Sequence, residues 1–246
     1  MKRSYMRWLM VTTLLTALHI RSISQAISVD TSAGPAFKNA VAFYNNSFGP
    51  ELHLFNGKEY YDYRVAFNEG HPYFFTPTWS KGTVNYEGNR YENVSILYNL
   101  VTDQVVILNY SRLAKIQLVK ERVASFALSG HSFIHIRPDS LLSPVLREGF
   151  YDILADGKIT LLARRTKNIQ TYTKQVVETK VFSKDHFYVE NNNVYSEIDS
   201  KRALLKQVGD KRKEIQQFIK QNKISYRKSR ENAMVRIVEY YNQLIK

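Results

Sequence analysis

From about residue 83 to residue 198, apolar and polar side chains alternate, and turn-forming residues break the alternation every ten residues or so. That period of two predicts a run of antiparallel strands. Val94, Ile96, Tyr98 and Leu100 fall on one face of such a strand; Val106, Leu108 and Tyr110 repeat the pattern, and so do Ala124, Phe126 and Leu128. Glu87-Gly88-Asn89, Ser129-Gly130, Asp156-Gly157 and Asn191-Asn192-Asn193 are the expected hairpin turns, because Gly and Asn tolerate the positive φ of tight reversals. Upstream, Asn56-Gly57 predicts a further hairpin between residues 52–55 and 58–63, and a short helix is expected over 36–46.

After Ser200 the apolar period lengthens to about 3.6, the helical repeat. Ser200 and Asp210 are expected to cap two successive helices, Asn222 to stop the second in a left-handed conformation, and Ser229 to cap a longer third. Met234, Ile237, Val238, Tyr241, Leu244 and Ile245 form a continuous stripe, so the last helix is expected to pack on the sheet or on the preceding helix. The fold expected is α+β: a predominantly antiparallel β-sheet, a meander that is curved or half-barrel-like, followed by a C-terminal segment of two to three helices.

Charge divides the chain where the periodicity does. Residues 27–199 carry 18 basic and 18 acidic side chains, whereas residues 200–246 carry 13 basic and four acidic. The N-terminus has its own signature: Lys2, Arg3 and Arg7 precede an apolar run to Ile20, and Ser24-Gln25-Ala26 offers the small residues that a signal peptidase accepts. The organisation expected is therefore a signal peptide over 1–26, a β-rich domain over 27–199 and a basic helical segment over 200–246 packed on it. An apolar run of about a dozen residues falls short of the 20 or so that a membrane span needs, so cleavage near Ala26 leaves no transmembrane anchor. With no cysteine in the chain the protein is not a lipoprotein and folds without disulfides, which favours a bacterial periplasm or the extracellular space.

Several segments, among them Leu54-Phe55-Asn56-Gly57-Lys58-Glu59-Tyr60, His71-Pro72-Tyr73-Phe74, Tyr91-Glu92-Asn93-Val94 and Gly149-Phe150-Tyr151-Asp152, together with the ending around Tyr240-Tyr241-Asn242, resemble exported proteins of Bacteroidota whose function is unknown. The resemblance implies an envelope location and supplies no catalytic residues.

The chemistry must be sought residue by residue. His131 and His135 have the spacing of a helical metal pair, but they lie on a predicted strand, where four residues span about 13 Å, so no metal site and no cofactor is expected. Glu59, Asp62 and Asp152 stand beside tyrosines and could pair as in a glycosidase, although a hydrogen-bonded or solvated acid is the commoner role. Between Phe55 and Trp79 nine aromatic residues crowd together, and Pro72 and Pro77 stiffen the stretch. Rings presented in this way stack on sugars or grip peptides, which makes His71, Tyr73 and Trp79 the candidate ligand-binding residues, against the alternative of an ordinary aromatic core.

In the basic segment Lys211, Arg212 and Lys213, then Arg227, Lys228 and Arg230, flank two helix starts and are the candidate anion-binding residues. An export signal argues against nucleic acid as the partner and leaves an anionic envelope component or another envelope protein. The reading favoured is an exported, non-catalytic binding or accessory protein for a glycan, lipid or protein partner, an acyl carrier being one variant. The alternatives are a carboxylate-dependent hydrolase of an envelope or extracellular polymer, and a structural subunit of an envelope assembly.

Overall fold

The computed structural model describes residues 53–138, 145–173 and 176–245, with isolated positions 34, 39, 40 and 43. The expected signal segment lies outside the described residues. The chain divides into two compact units, Met1–Ser47 and Phe48–Lys246. In the first, Asn39, Ala40 and Phe43 are helical, within the stretch where a short helix is expected.

The second unit is an open antiparallel sheet of eleven strands followed by three helices. The strands are β1 (Lys58–Glu59), β2 (Ser80–Tyr86), β3 (Asn89–Asn99), β4 (Gln104–Leu108), β5 (Lys115–Gln117), β6 (Val123–Leu128), β7 (His131–Ile136), β8 (Gly149–Ala155), β9 (Thr160–Thr173), β10 (Val177–Asn191) and β11 (Val194–Glu197); the helices are α1 (Lys201–Gln207), α2 (Arg212–Gln221) and α3 (Arg230–Leu244). The strand order is β1-β5-β4-β3-β2-β6-β7-β8-β9-β10-β11, so the meander runs back on itself once before β6 adds to the far side of β2. The four expected hairpins form. Glu87 and Gly88 have φ of 50° and 79°, and Ser129 and Gly130 have 52° and 80°, the pair of positive values that lets a two-residue turn follow the twist of the strands.

Val94, Ile96, Tyr98 and Leu100 do share a face, and with Val84, Val105, Ile107, Phe126, Phe133 and Phe150 they make one core. Tyr98 stands edge-on to Phe126 at 5.0 Å and to Phe133 at 5.1 Å, contacts that each add about 0.5–1.5 kcal/mol to the area they bury. A second core joins Ile159, Leu161, Ala163, Phe187 and Val189 of the sheet to Leu204, Val208, Ile215, Met234, Ile237 and Val238 of the helices. The amphipathic stripe of α3 thus completes the sheet, as its periodicity predicts.

A strap over residues 68–74 ties the end of β3 to the β9–β10 hairpin. Leu100 N–H donates to the Pro72 carbonyl and Phe74 N–H to the Tyr98 carbonyl, while at the other end of the strap Asn68 N–H reaches the Thr179 carbonyl and Val181 N–H reaches Glu69. The end of β3 is thereby drawn to β9, where Lys167 N–H donates to the Leu100 carbonyl.

Six local expectations fail. Val105 and Ile107 enter the first core in place of Val106, Leu108 and Tyr110, the last of which lies beyond β4 and is exposed, and Ser229 stands at the start of α3 without a capping side-chain bond. The other four have a visible reason. Asn56-Gly57 makes no hairpin: residues 53–55 form a 3-10 turn and β1 pairs with β5, so Gly57 serves close approach, since a Cβ there would run into the Gln117 carbonyl. Ala124 is exposed and Val123 takes its place in the core, because a bulge at Asn85/Tyr86 shifts the register of β6. Asp210 does not cap α2; it sits in a 3-10 turn and accepts a hydrogen bond from the Tyr241 hydroxyl at 3.0 Å. Asn222 ends α2 at φ −90°, and the left-handed residue is Lys223, one position later.

Candidate functional site

The aromatic candidates do not line a common groove. Tyr73 is buried with Tyr60, Leu97 and Val106, and Trp79 packs against that cluster. The Tyr73 hydroxyl lies 3.2 Å from that of Tyr60 and donates to Asp62 Oδ1 at 3.2 Å. Burial, then the hydrogen bond with Tyr60, holds Tyr73 well above the ordinary phenol range, so it is a fixed neutral strut. His71 belongs to the strap: its carbonyl accepts from Lys167 Nζ at 2.9 Å, as the Tyr73 carbonyl does at 2.6 Å. The exposed rings of this stretch are Tyr61 and Phe75, at 75% and 73% of their full surface.

Each carboxylate candidate is already engaged by a neighbouring side chain. Glu59 accepts from the Tyr61 hydroxyl, Asp62 pairs with Lys115, and Asp152 stands on β8, eighth in a strand order that β1 begins. Asp152 is fully buried, and its Oδ2 takes three donors: His131 Nδ1 at 2.8 Å, Arg165 Nε at 2.8 Å and Arg165 Nη2 at 2.7 Å. Its Oδ1 is buried without a partner among the described residues.

Arg165 gathers three carboxylates, for it also reaches Asp185 at 3.0 Å and grips Glu231 of α3 through two bonds of 2.9 Å. Burial works against the charged guanidinium, but the bonds to Glu231 and the charge of Asp152 outweigh it and raise the Arg165 pKa above its ordinary value. Asp185 is raised as well, by burial first, with Arg165 opposing. Period-two reasoning can put His131, Asp152, Arg165 and Asp185 on strands, but it cannot show that four strands bring them to one face. The cluster fastens α3 to the sheet; with its acids committed to one buried cation, it offers no free carboxylate pair to a substrate. His135, two pleats from His131 on β7, turns to Glu148 at 3.4 Å.

The six basic candidates divide in the same way. Arg230 is used internally: its guanidinium donates to the Ile198 carbonyl at 2.6 Å and lies over the Phe187 ring at 5.1 Å. The acid at the start of α3 is the chain's own Glu231, already bound to Arg165. Lys211 lies 3.9 Å from Glu214. Lys213, Arg227 and Lys228 are exposed, and none lines a depression. Arg212 does. It joins Arg202 and Lys206 of α1, with Ser200, Ala203, Leu205 and Gly209, around a hollow of about 660 Å³.

No carboxylate lines this hollow, and none of its three cations has an ion-pair partner among the described residues. Local sequence builds it: the Ser200 hydroxyl accepts from Ala203 N–H and starts α1, which sets Arg202 and Lys206 four residues apart on one helix face, while Val208-Gly209 turns the chain so that Arg212 comes alongside. Arg202 and Lys206 escape a search for clustered charge because three residues part them; helical spacing after a serine cap is the signal that finds them. No protein-family model, no curated protein and no solved structure matches the chain.

Proposed function

We propose that the protein is an exported, non-catalytic binding protein that holds an anionic component of the cell envelope at the Arg202–Lys206–Arg212 hollow. One observation carries the reading: three exposed cations surround a concavity with no acid in its lining, and none of the three has an ion-pair partner among the described residues. Three like charges held together favour an anion by Coulomb attraction that salt weakens, and the half-buried Ala203 and buried Leu205 beside them supply apolar contact. The N-terminal signal pattern and the resemblance to exported Bacteroidota proteins support the compartment. The hydrolase alternative loses ground because Glu59, Asp62 and Asp152 are each engaged by another side chain.

The test is cosedimentation of the chain from Ile27 onward with phosphatidylglycerol vesicles and with phosphatidylcholine vesicles. Binding is expected to the anionic vesicles alone, to weaken at least tenfold between about 50 and about 300 mM salt, and to weaken as much in the R202A/K206A/R212A variant. K213A/R227A/K228A is expected to retain most of it. Equal binding to both vesicle types, or no effect of the hollow variant, overturns the assignment.

A further inference from the structure

The long hairpin of β9 and β10 extends past its neighbours. β10 pairs with β9 from Val177↔Thr173 to Glu190↔Thr160, whereas β11 covers β10 only over residues 188–191, and the last β8 partner along β9 is Ala163. The distal arm is therefore a two-stranded ribbon, and its two outer edges are treated differently.

The β10 edge is covered. Thr179 N–H donates to Asn68 Oδ1, the Thr179 carbonyl accepts from Asn68 N–H, and Val181 N–H reaches Glu69. Those groups point away from β9. Antiparallel residues directly opposite one another either exchange their backbone bonds or both turn outward, so Thr171, opposite Thr179, and Ile169, opposite Val181, also turn outward, and Thr173 follows by the period of two. Lys167, of the same parity, confirms the direction through its bond to the Leu100 carbonyl.

Beyond Lys167 the outward N–H and C=O groups of Ile169, Thr171 and Thr173 have no backbone partner among the described residues. Such an edge is a template for another strand unless charge, proline or a bulge blocks it. None does here, for Asn168-Ile169-Gln170-Thr171-Tyr172-Thr173 is uncharged, lacks Pro and Gly and is rich in strand-forming residues. Beside it the arm exposes Tyr172, Val176, Val177 and Phe182.

We infer that this edge pairs antiparallel with the same edge of a second copy of the chain, about a two-fold axis at Thr171. In that register Thr171 faces its own mate and Ile169 faces Thr173, so all three outward residues meet outward residues and about six backbone hydrogen bonds form. A second copy fits because the segment is self-complementary: no like charges oppose, and Gln170 falls opposite Tyr172, the residue whose hydroxyl it already accepts from within its own chain at 2.5 Å. The contact is isologous and closes at two, since Asn68 and Glu69 occupy the other edge of the arm.

Sedimentation of the chain from Ile27 onward across a wide concentration range tests the pairing. The wild type is expected to reach the mass of two chains. Thr171→Pro removes an outward N–H without touching the β9–β10 ladder and is expected to stay at one chain. Thr171→Lys and Thr171→Glu set like-charged side chains on Cα atoms about 5.5 Å apart at the axis and are each expected to be single chains, whereas their equimolar mixture pairs. A wild type of single-chain mass throughout, a Thr171→Pro dimer, assemblies larger than two, or slow amide exchange at residues 169, 171 and 173 in a single-chain species would each refute the inference.

Discussion

Arg165 of β9 and Glu231 of α3, 66 residues apart in sequence, meet in two hydrogen bonds of 2.9 Å, and the same guanidinium holds the fully buried Asp152. One cation thus joins the last helix to β8 and β9 and balances an acid with no exposed surface.

Arg165→Met leaves the buried Asp152 with His131 as its one partner among the described residues and no fixed cation, a loss expected at about 3–5 kcal/mol by urea unfolding. The double variant R165M/D152N is expected to recover part of that loss. If it unfolds no later than R165M alone, the penalty does not lie in the stranded carboxylate.

Asn242 is the second fastening. Its side-chain amide accepts from Ile159 N–H at 3.0 Å and donates to the Ile159 carbonyl at 2.9 Å, in a place where Gly157 must lack a Cβ to let it approach. Asn242→Leu keeps the volume but leaves two buried backbone groups without partners, each costing about 1–3 kcal/mol. Hydrogen exchange at the Ile159 amide is expected to accelerate together with the drop in unfolding midpoint.

Two histidines make the fold sensitive to acid. Burial, then Lys167, lowers the pKa of His71; burial, then Arg137, lowers that of His135. The folded state therefore prefers both rings neutral. Their contribution is whole above the ordinary value of about 6.5 and is lost as pH falls from there through the depressed folded values. A plot of unfolding free energy against pH is expected to fall below about 6.5 in the wild type and to flatten in His71→Gln and His135→Gln. Unchanged slopes in both variants would assign the acid sensitivity to other groups.

Regular alternation made the sheet legible. Val94, Ile96, Tyr98 and Leu100 fall on one face at a spacing of two and enter one core, and the positive φ at Gly88, Gly130 and the asparagines after β10 is a property of those residues themselves. The sequence period says nothing of what changes the count: the bulge that buries Val123 in place of Ala124 depends on β2, a partner 40 residues away, and Gly57 reads as a turn until β5 is seen lying against it.

The candidate site was legible only in outline. Excess charge marks the last 47 residues, but which cations stay in solvent is decided by distant groups: Phe187 and the Ile198 carbonyl draw Arg230 inward, and Arg165 satisfies Glu231. Arg202 and Lys206 remain exposed, with no ion-pair partner among the described residues.

The helical covering of β8 to β11 also fixes an order of events in synthesis. Leu161 and Val189 are sealed by Met234, Ile237 and Val238, and Ile159 is pinned from 83 residues downstream, so this face of the sheet stays uncovered in synthesis until α3 has emerged and docked.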